Sequence, residues 1–134
     1  LEIAMREILF KAKRKSDGEW VEGHFYTDQK FIFGESCSDV AYIRDDIHDD
    51  HVVFENTLCQ YTGIEDINGN KIFEGDIIDI WFYDEPESPQ RLTVYNFNEI
   101  YGDFGDFTHW TINYALQSDY NCKIIGNIHD NLDI

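Results

Sequence analysis

The segment Asp45-Asp46-Ile47-His48-Asp49-Asp50-His51 concentrates the groups best able to hold a metal ion. His48 and His51 stand three apart among aspartates, and two imidazoles with carboxylates suit zinc or manganese. A metal-dependent enzyme would draw on His48, His51, Asp45 and Asp49. The block lacks the hydrophobic neighbours that dry and rigidify such a site, so a hydrated loop is the stronger expectation and no cofactor is assigned. Asp66, Asn68 and Asn70 resemble the start of a calcium loop. Gly69 comes too early for that loop, however, and no glutamate closes it, which leaves a hairpin turn as the better account. Glu74 and Asp76 would share a face on a regular strand, and paired carboxylates can do acid/base work when burial separates their pKa values. The intervening Gly75 instead points to a bend carrying solvated acids. No nucleophile assembles: Cys37, Cys59 and Cys122 lie far apart without a C-x-x-C pair, and no G-x-S-x-G or phosphate-binding glycine pattern occurs. The cysteines read as reduced thiols, two of the marks of a cytoplasmic protein being this and the lack of an export signal. His24, His109 and His129 are isolated. Tyr101, Phe104, Phe107, Trp110 and Tyr114 could stack bases, but Asp103 and Asp106 beside them oppose a single-strand platform, which needs cations.

Short strands must position these groups. Ile8, Phe10 and Ala12 alternate with Glu7, Leu9 and Lys11, the period of a half-buried strand. Lys15-Ser16-Asp17-Gly18 then supplies turn chemistry, and Glu19 to Tyr26 forms the return arm of a hairpin. Lys30–Phe33, Val40–Arg44 and Val52–Tyr61 are further strand candidates. Asn68-Gly69 is the strongest two-residue turn signal in the chain. The arm after it runs from Lys71 to Phe82, broken at Glu74-Gly75-Asp76. Asp84 to Pro89 holds both prolines and must be a loop. Leu92–Phe97 and Cys122–Ile128 read as strands, and His109–Leu116 as a strand or short helix. The expectation is a mainly β domain, a small barrel or strongly bent antiparallel sheet with one or two short helices at most. Leu1–Ala4 read as a cloning remnant ahead of a natural start at Met5, with residues 5–134 forming one domain.

The chain has 134 residues, 43% hydrophobic and 16% aromatic, enough to bury a core. Its 27 acidic residues outnumber 10 basic ones, for a net charge of −17. That argues against a protein that grips phosphate backbones, which requires a basic footprint. No run approaches the roughly 18 apolar residues of a membrane span. Arg6, Lys11, Lys13, Arg14 and Lys15 hold half the positive charge within the first hairpin, so the remaining surface should be almost uniformly negative. Such a surface serves solubility, or meets a basic protein partner, in the extreme by mimicking the charge of DNA. The basic hairpin could also meet an acidic face of a second copy, which makes a homo-oligomer the alternative.

Tyr61-Thr62-Gly63-Ile64-Glu65-Asp66-Ile67-Asn68-Gly69-Asn70-Lys71-Ile72-Phe73-Glu74-Gly75-Asp76-Ile77-Ile78 closely resembles the central signature of the YopX family of phage and prophage proteins. Met5-Arg6-Glu7-Ile8-Leu9-Phe10-Lys11-Ala12 looks like that family's opening, and Ile125-Gly126-Asn127-Ile128-His129-Asp130-Asn131 like its closing motif. Phe73 and His129 stand where the family carries tyrosine. The resemblance implies a mainly β fold and a phage or prophage origin, hence a host cytoplasm, and brings no reaction, cofactor or catalytic set. Its shared residues read as structural: Gly63, Gly69, Gly75 and Gly126 at turns or bends, Asn68 supplying left-handed geometry, and Thr62, Asp76 and Asn127 tying down loops and strand ends. Tyr61, Asp66 and Glu74 complete the set.

Overall fold

The computed structural model describes residues 7–32, 35–95, 99–104, 107–111 and 119–130, with backbone alone over 30–38 and 99–111. The chain divides into two compact units, Leu1–Gln60 and Tyr61–Ile134.

In the first unit, β1 (Phe10–Lys13) and β2 (Trp20–Ile32) form the expected hairpin. Its turn closes with Gly18 at φ +75°, the left-handed geometry that Asp-Gly anticipates. β2 continues well past Tyr26 and absorbs the Lys30 candidate strand, pairing with β3 (Glu35–Arg44). β4 (Asp50–Val52) adds to the outer side of β3, and the start of β5 (Cys59–Glu65) adds to β1. The antiparallel order is therefore β4-β3-β2-β1-β5. Ala12, Ala41, Ile43 and Val53 are its buried core, with Phe10, Val21, Phe25 and Leu58 packed around them. A single 3-10 turn, Glu55–Thr57, interrupts the Val52–Tyr61 segment. Thr57 fastens that turn, its hydroxyl donating to the Phe54 carbonyl (2.6 Å) and accepting from the Lys13 N–H (2.8 Å). At Gly23 the backbones come so close that a Cβ would lie 2.0 Å from the Arg44 carbonyl oxygen, so only glycine fits.

In the second unit, β5 pairs with β6 (Lys71–Phe73). β7 (Asp76–Phe82), β8 (Gln90–Tyr95), β9 (Glu99–Phe104), β10 (Phe107–Thr111) and β11 (Tyr120–Asn127) make an antiparallel sheet of order β10-β9-β8-β7-β11. The arm expected from Lys71 to Phe82 is thus two strands in different ladders, divided at Glu74-Gly75. Of the His109–Leu116 segment, the described part is strand. The loop at Asp84–Pro89 joins β7 to β8. Ile72, Ile78, Ile80, Leu92, Val94 and Cys122 form the buried core. The fold is mainly β, as the spacing of turns predicts, and the sheets are open rather than closed into a barrel. Among the described residues, no helix is long and apolar enough to cross a membrane.

Candidate functional site

The family-type residues of the second unit meet around two buried carboxylates. Asp66 is 7% exposed. Its Oδ1 accepts from the N–H groups of Asn68 (3.0 Å) and Asn70 (2.9 Å), and its Oδ2 accepts from Ile124 N–H on β11 (3.0 Å). One side chain therefore shapes the turn and anchors it to a distant strand. The turn is not the two-residue form that Asn-Gly suggests. Asp66 N–H bonds to the Asn70 carbonyl and Gly69 N–H to the Asp66 carbonyl, with Gly69 alone left-handed at φ +81°. This is a three-residue loop ending in a bulge. Asn68 does not take the left-handed geometry expected of it.

Asp76 corrects a second expectation. It is not a solvated acid but 2% exposed, because the Glu74-Gly75 turn folds its carboxylate back into the chain. Oδ2 accepts from Phe73 N–H (2.8 Å) and Oδ1 from Asn127 Nδ2 (2.9 Å). Asn127 in turn accepts from His129 N–H (2.9 Å), which fixes the end of β11. Gly75 holds φ +83°, and a Cβ there would stand 3.3 Å from the Ile128 side chain. Thr62 is fully buried, donating to the Ile72 carbonyl (2.7 Å) and accepting from Ile64 N–H (3.2 Å). It bridges the bulge that Gly63 (φ +86°) opens between Tyr61 and Glu65. Tyr61 packs on Phe73 with ring centroids 5.5 Å apart, and Gly126 sits at the bulge of β11. Glu74 is half-buried beside them. The hydrogen bonds of these residues make a clamp: Asp66 ties its own turn to β11, and Asp76 ties Phe73 to Asn127.

The histidine-bearing block is built as the same turn. Asp45 N–H bonds to the Asp49 carbonyl, and His48 N–H to the Asp45 carbonyl. Asp45 Oδ1 accepts from Ile47 N–H (3.1 Å) and Asp49 N–H (2.9 Å). His48, at φ +67°, occupies the position Gly69 holds in the other turn. Asp45 Oδ2 lies 2.8 Å from His51 Nε2, and that bond, with those from the Asp49 and Ile47 amides, holds its carboxyl below the usual range. Arg44 clamps Asp50 from the neighbouring strand (2.8 and 3.2 Å), which lowers the Asp50 pKa likewise. His48 and Asp49 point to solvent. Among the described residues, no group of three or more His, Cys, Asp or Glu side chains is placed to share a metal ion.

Four cations of the first hairpin, Lys11, Lys13, Arg14 and Lys15, are engaged within their own unit, and Arg6 lies outside the described residues. Lys11 and Lys13 lie over the Trp20 ring (4.6 and 5.4 Å), Lys15 lies near Phe54 (5.8 Å), and Arg14 pairs with Asp17 at 2.6 Å. In the second unit the acids dominate: 14 Asp and Glu against three cations over residues 61–134. Of those cations, Arg91 pairs with Asp79 (3.2 Å) and Lys71 lies 5.9 Å from the Tyr61 ring. Cys59 and Cys122 are buried thiols outside any disulfide, and the Cys59 thiol donates to the Thr57 carbonyl (3.2 Å). Burial first, then the Asp66 charge, pushes Cys122 up to about 11. The Cys37 side chain and those of Tyr101, Phe104, Phe107 and Trp110 lie outside the described residues, as does Tyr114.

One feature escapes the sequence reading. Where β7 ends, β8 begins and β11 begins, a hollow of about 210 Å³ opens, lined by Ile80, Trp81, Phe82, Glu85, Ser88, Gln90 and Tyr120. The Tyr120–Phe82 register of β11 and β7 sets two of its walls, with ring centroids 5.4 Å apart. The aromatic run Trp81-Phe82-Tyr83 before a proline loop was the available signal.

The YopX protein family profile matches residues 9–133, nearly the whole chain, and the chain belongs to that family. Among solved structures it is similar to protein EF1440 from Enterococcus faecalis, at 21% identity and a TM-score of 0.48, covering 96% of this chain and 98% of that one. A search of curated proteins finds no match.

Proposed function

We propose that the chain is a phage- or prophage-encoded acidic binding module that engages a basic protein in the host cytoplasm. The observation that carries this reading is the distribution of charge. Residues 61–134 set 14 acids against three cations, and two of those cations are already occupied by Asp79 and the Tyr61 ring. Asp66 and Asp76 are spent internally, whereas Glu65, Asp84, Glu85, Glu87, Asp119 and Asp130 are exposed. Exposed carboxylates with few counter-charges steer a cationic partner and favour its docking over neutral competitors. A surface this acidic also competes with DNA for a basic groove, which is the extreme form of the same reading.

Affinity capture from host lysate at about 50 mM and about 500 mM salt tests it, since screening shortens from roughly 14 to 4 Å over that range. The expected result is capture of a basic protein that is released at the higher salt and displaced by duplex DNA if the target is a DNA-binding groove. Capture unaffected by salt, or of acidic proteins alone, refutes the electrostatic basis.

A further inference from the structure

Resting on that reading, we propose that the hollow between β7, β8 and β11 receives the side chain of one arginine from the basic partner. Size comes first. At about 210 Å³ the hollow falls below the roughly 300–1,000 Å³ that encloses a drug-sized or nucleotide-sized ligand, yet it admits a single long side chain. Its chemistry selects a cation. Phe82 and Tyr120 contribute aromatic walls, and their edge-to-face packing (62° between planes) holds them in place. Aromatic rings attract a guanidinium through their quadrupole, more strongly once water is displaced. Glu85 stands at the same hollow, and among the described residues no cation pairs with its carboxylate. Ser88 and Gln90 add oxygen acceptors. The loop above supplies Asp84 and Glu87 as further negative charge and no Lys or Arg. A guanidinium offers five donors in one plane, so it can stack on a ring while pairing with a carboxylate at its edge. An ammonium cannot do both equally well.

An NMR titration with the tripeptide acetyl-Gly-Arg-Gly-amide tests the assignment, using the full chain with assigned amides. Saturable shifts are expected at Trp81, Phe82, Glu85, Gln90 and Tyr120. The citrulline tripeptide, which keeps the shape but not the charge, should bind at least about tenfold more weakly. Glu85→Gln should weaken arginine binding by about tenfold. Glu87→Gln removes the same charge from the same loop without touching the hollow and should change it less than about twofold. Equal binding of citrulline, equal loss in both variants, or shifts confined to other surfaces would each overturn the proposal. The titration needs no captured partner. A flat titration with salt-sensitive capture therefore removes the arginine slot alone, and a saturable titration with no basic partner captured removes the wider reading alone.

Discussion

Asp76→Ala should be the most damaging single truncation among the polar residues of the second unit. The carboxylate is 2% exposed, and it satisfies the Phe73 N–H at 2.8 Å and Asn127 Nδ2 at 2.9 Å. Alanine leaves both donors without this acceptor at a site that is 2% exposed. A buried donor stripped of its acceptor costs about 1–3 kcal/mol, and bonds to an ionised acceptor lie toward the upper end. Relief of the desolvated charge offsets part of the sum, so the expected loss is about 3–4 kcal/mol. With a urea dependence of about 1.5 kcal/mol per molar for a unit of this size, the midpoint followed by circular dichroism should fall by roughly 2–3 M. Asp76→Asn preserves the shape and one acceptor but turns a donor toward a donor, and should cost about half as much. Asn127→Ala combined with Asp76→Ala should be less harmful than the two single effects added, by about 1–2 kcal/mol, since the pair shares one bond. An Asp76→Ala loss below about 1 kcal/mol, or strict additivity in the cycle, would show that the buried clamp is not what holds β6, β7 and β11 in place.

The equivalence of the two Asp turns makes a reciprocal prediction. His48→Gly should stabilise the first unit by about 0.5–1 kcal/mol, because a left-handed non-glycine residue is strained. Gly69→Ala should destabilise by about 1 kcal/mol, since a Cβ there meets open space and only the backbone is penalised. Urea midpoints moving the same way for both would contradict the shared geometry. Cys122, held near 11, is about one-thousandth thiolate at pH 8, against about a tenth for a thiol at 9.0. Iodoacetamide labelling read by mass spectrometry should therefore be at least roughly a hundredfold slower at Cys122 in the folded chain than after denaturation, rising with pH toward 11. Equal rates would refute the burial-driven shift.

Much of the fold was legible in local pattern. The alternation of Phe10 and Ala12, the Asp17-Gly18 turn, the break at Gly75 and the loop holding both prolines all depend on residues within a few positions of one another. The charge imbalance is likewise a property of composition alone. What the chain order could not disclose was which acids would be taken from water. Glu74 and Asp76 look alike as neighbours of a glycine, yet Asp76 is buried because β11 delivers Asn127 from 51 residues away. The sequence favoured a hydrated loop for the histidine block and offered a ligand set as the lesser reading, and only the structure shows that Asp45 builds the same turn as Asp66. The hollow likewise exists only because β11 pairs with β7 and sets Tyr120 against Phe82. Turn and strand preferences are short-range energies written into adjacent residues. Burial, hydrogen-bond partners and cavities follow from the register of strands far apart in the chain, which the whole core must agree upon before any one side chain finds its place.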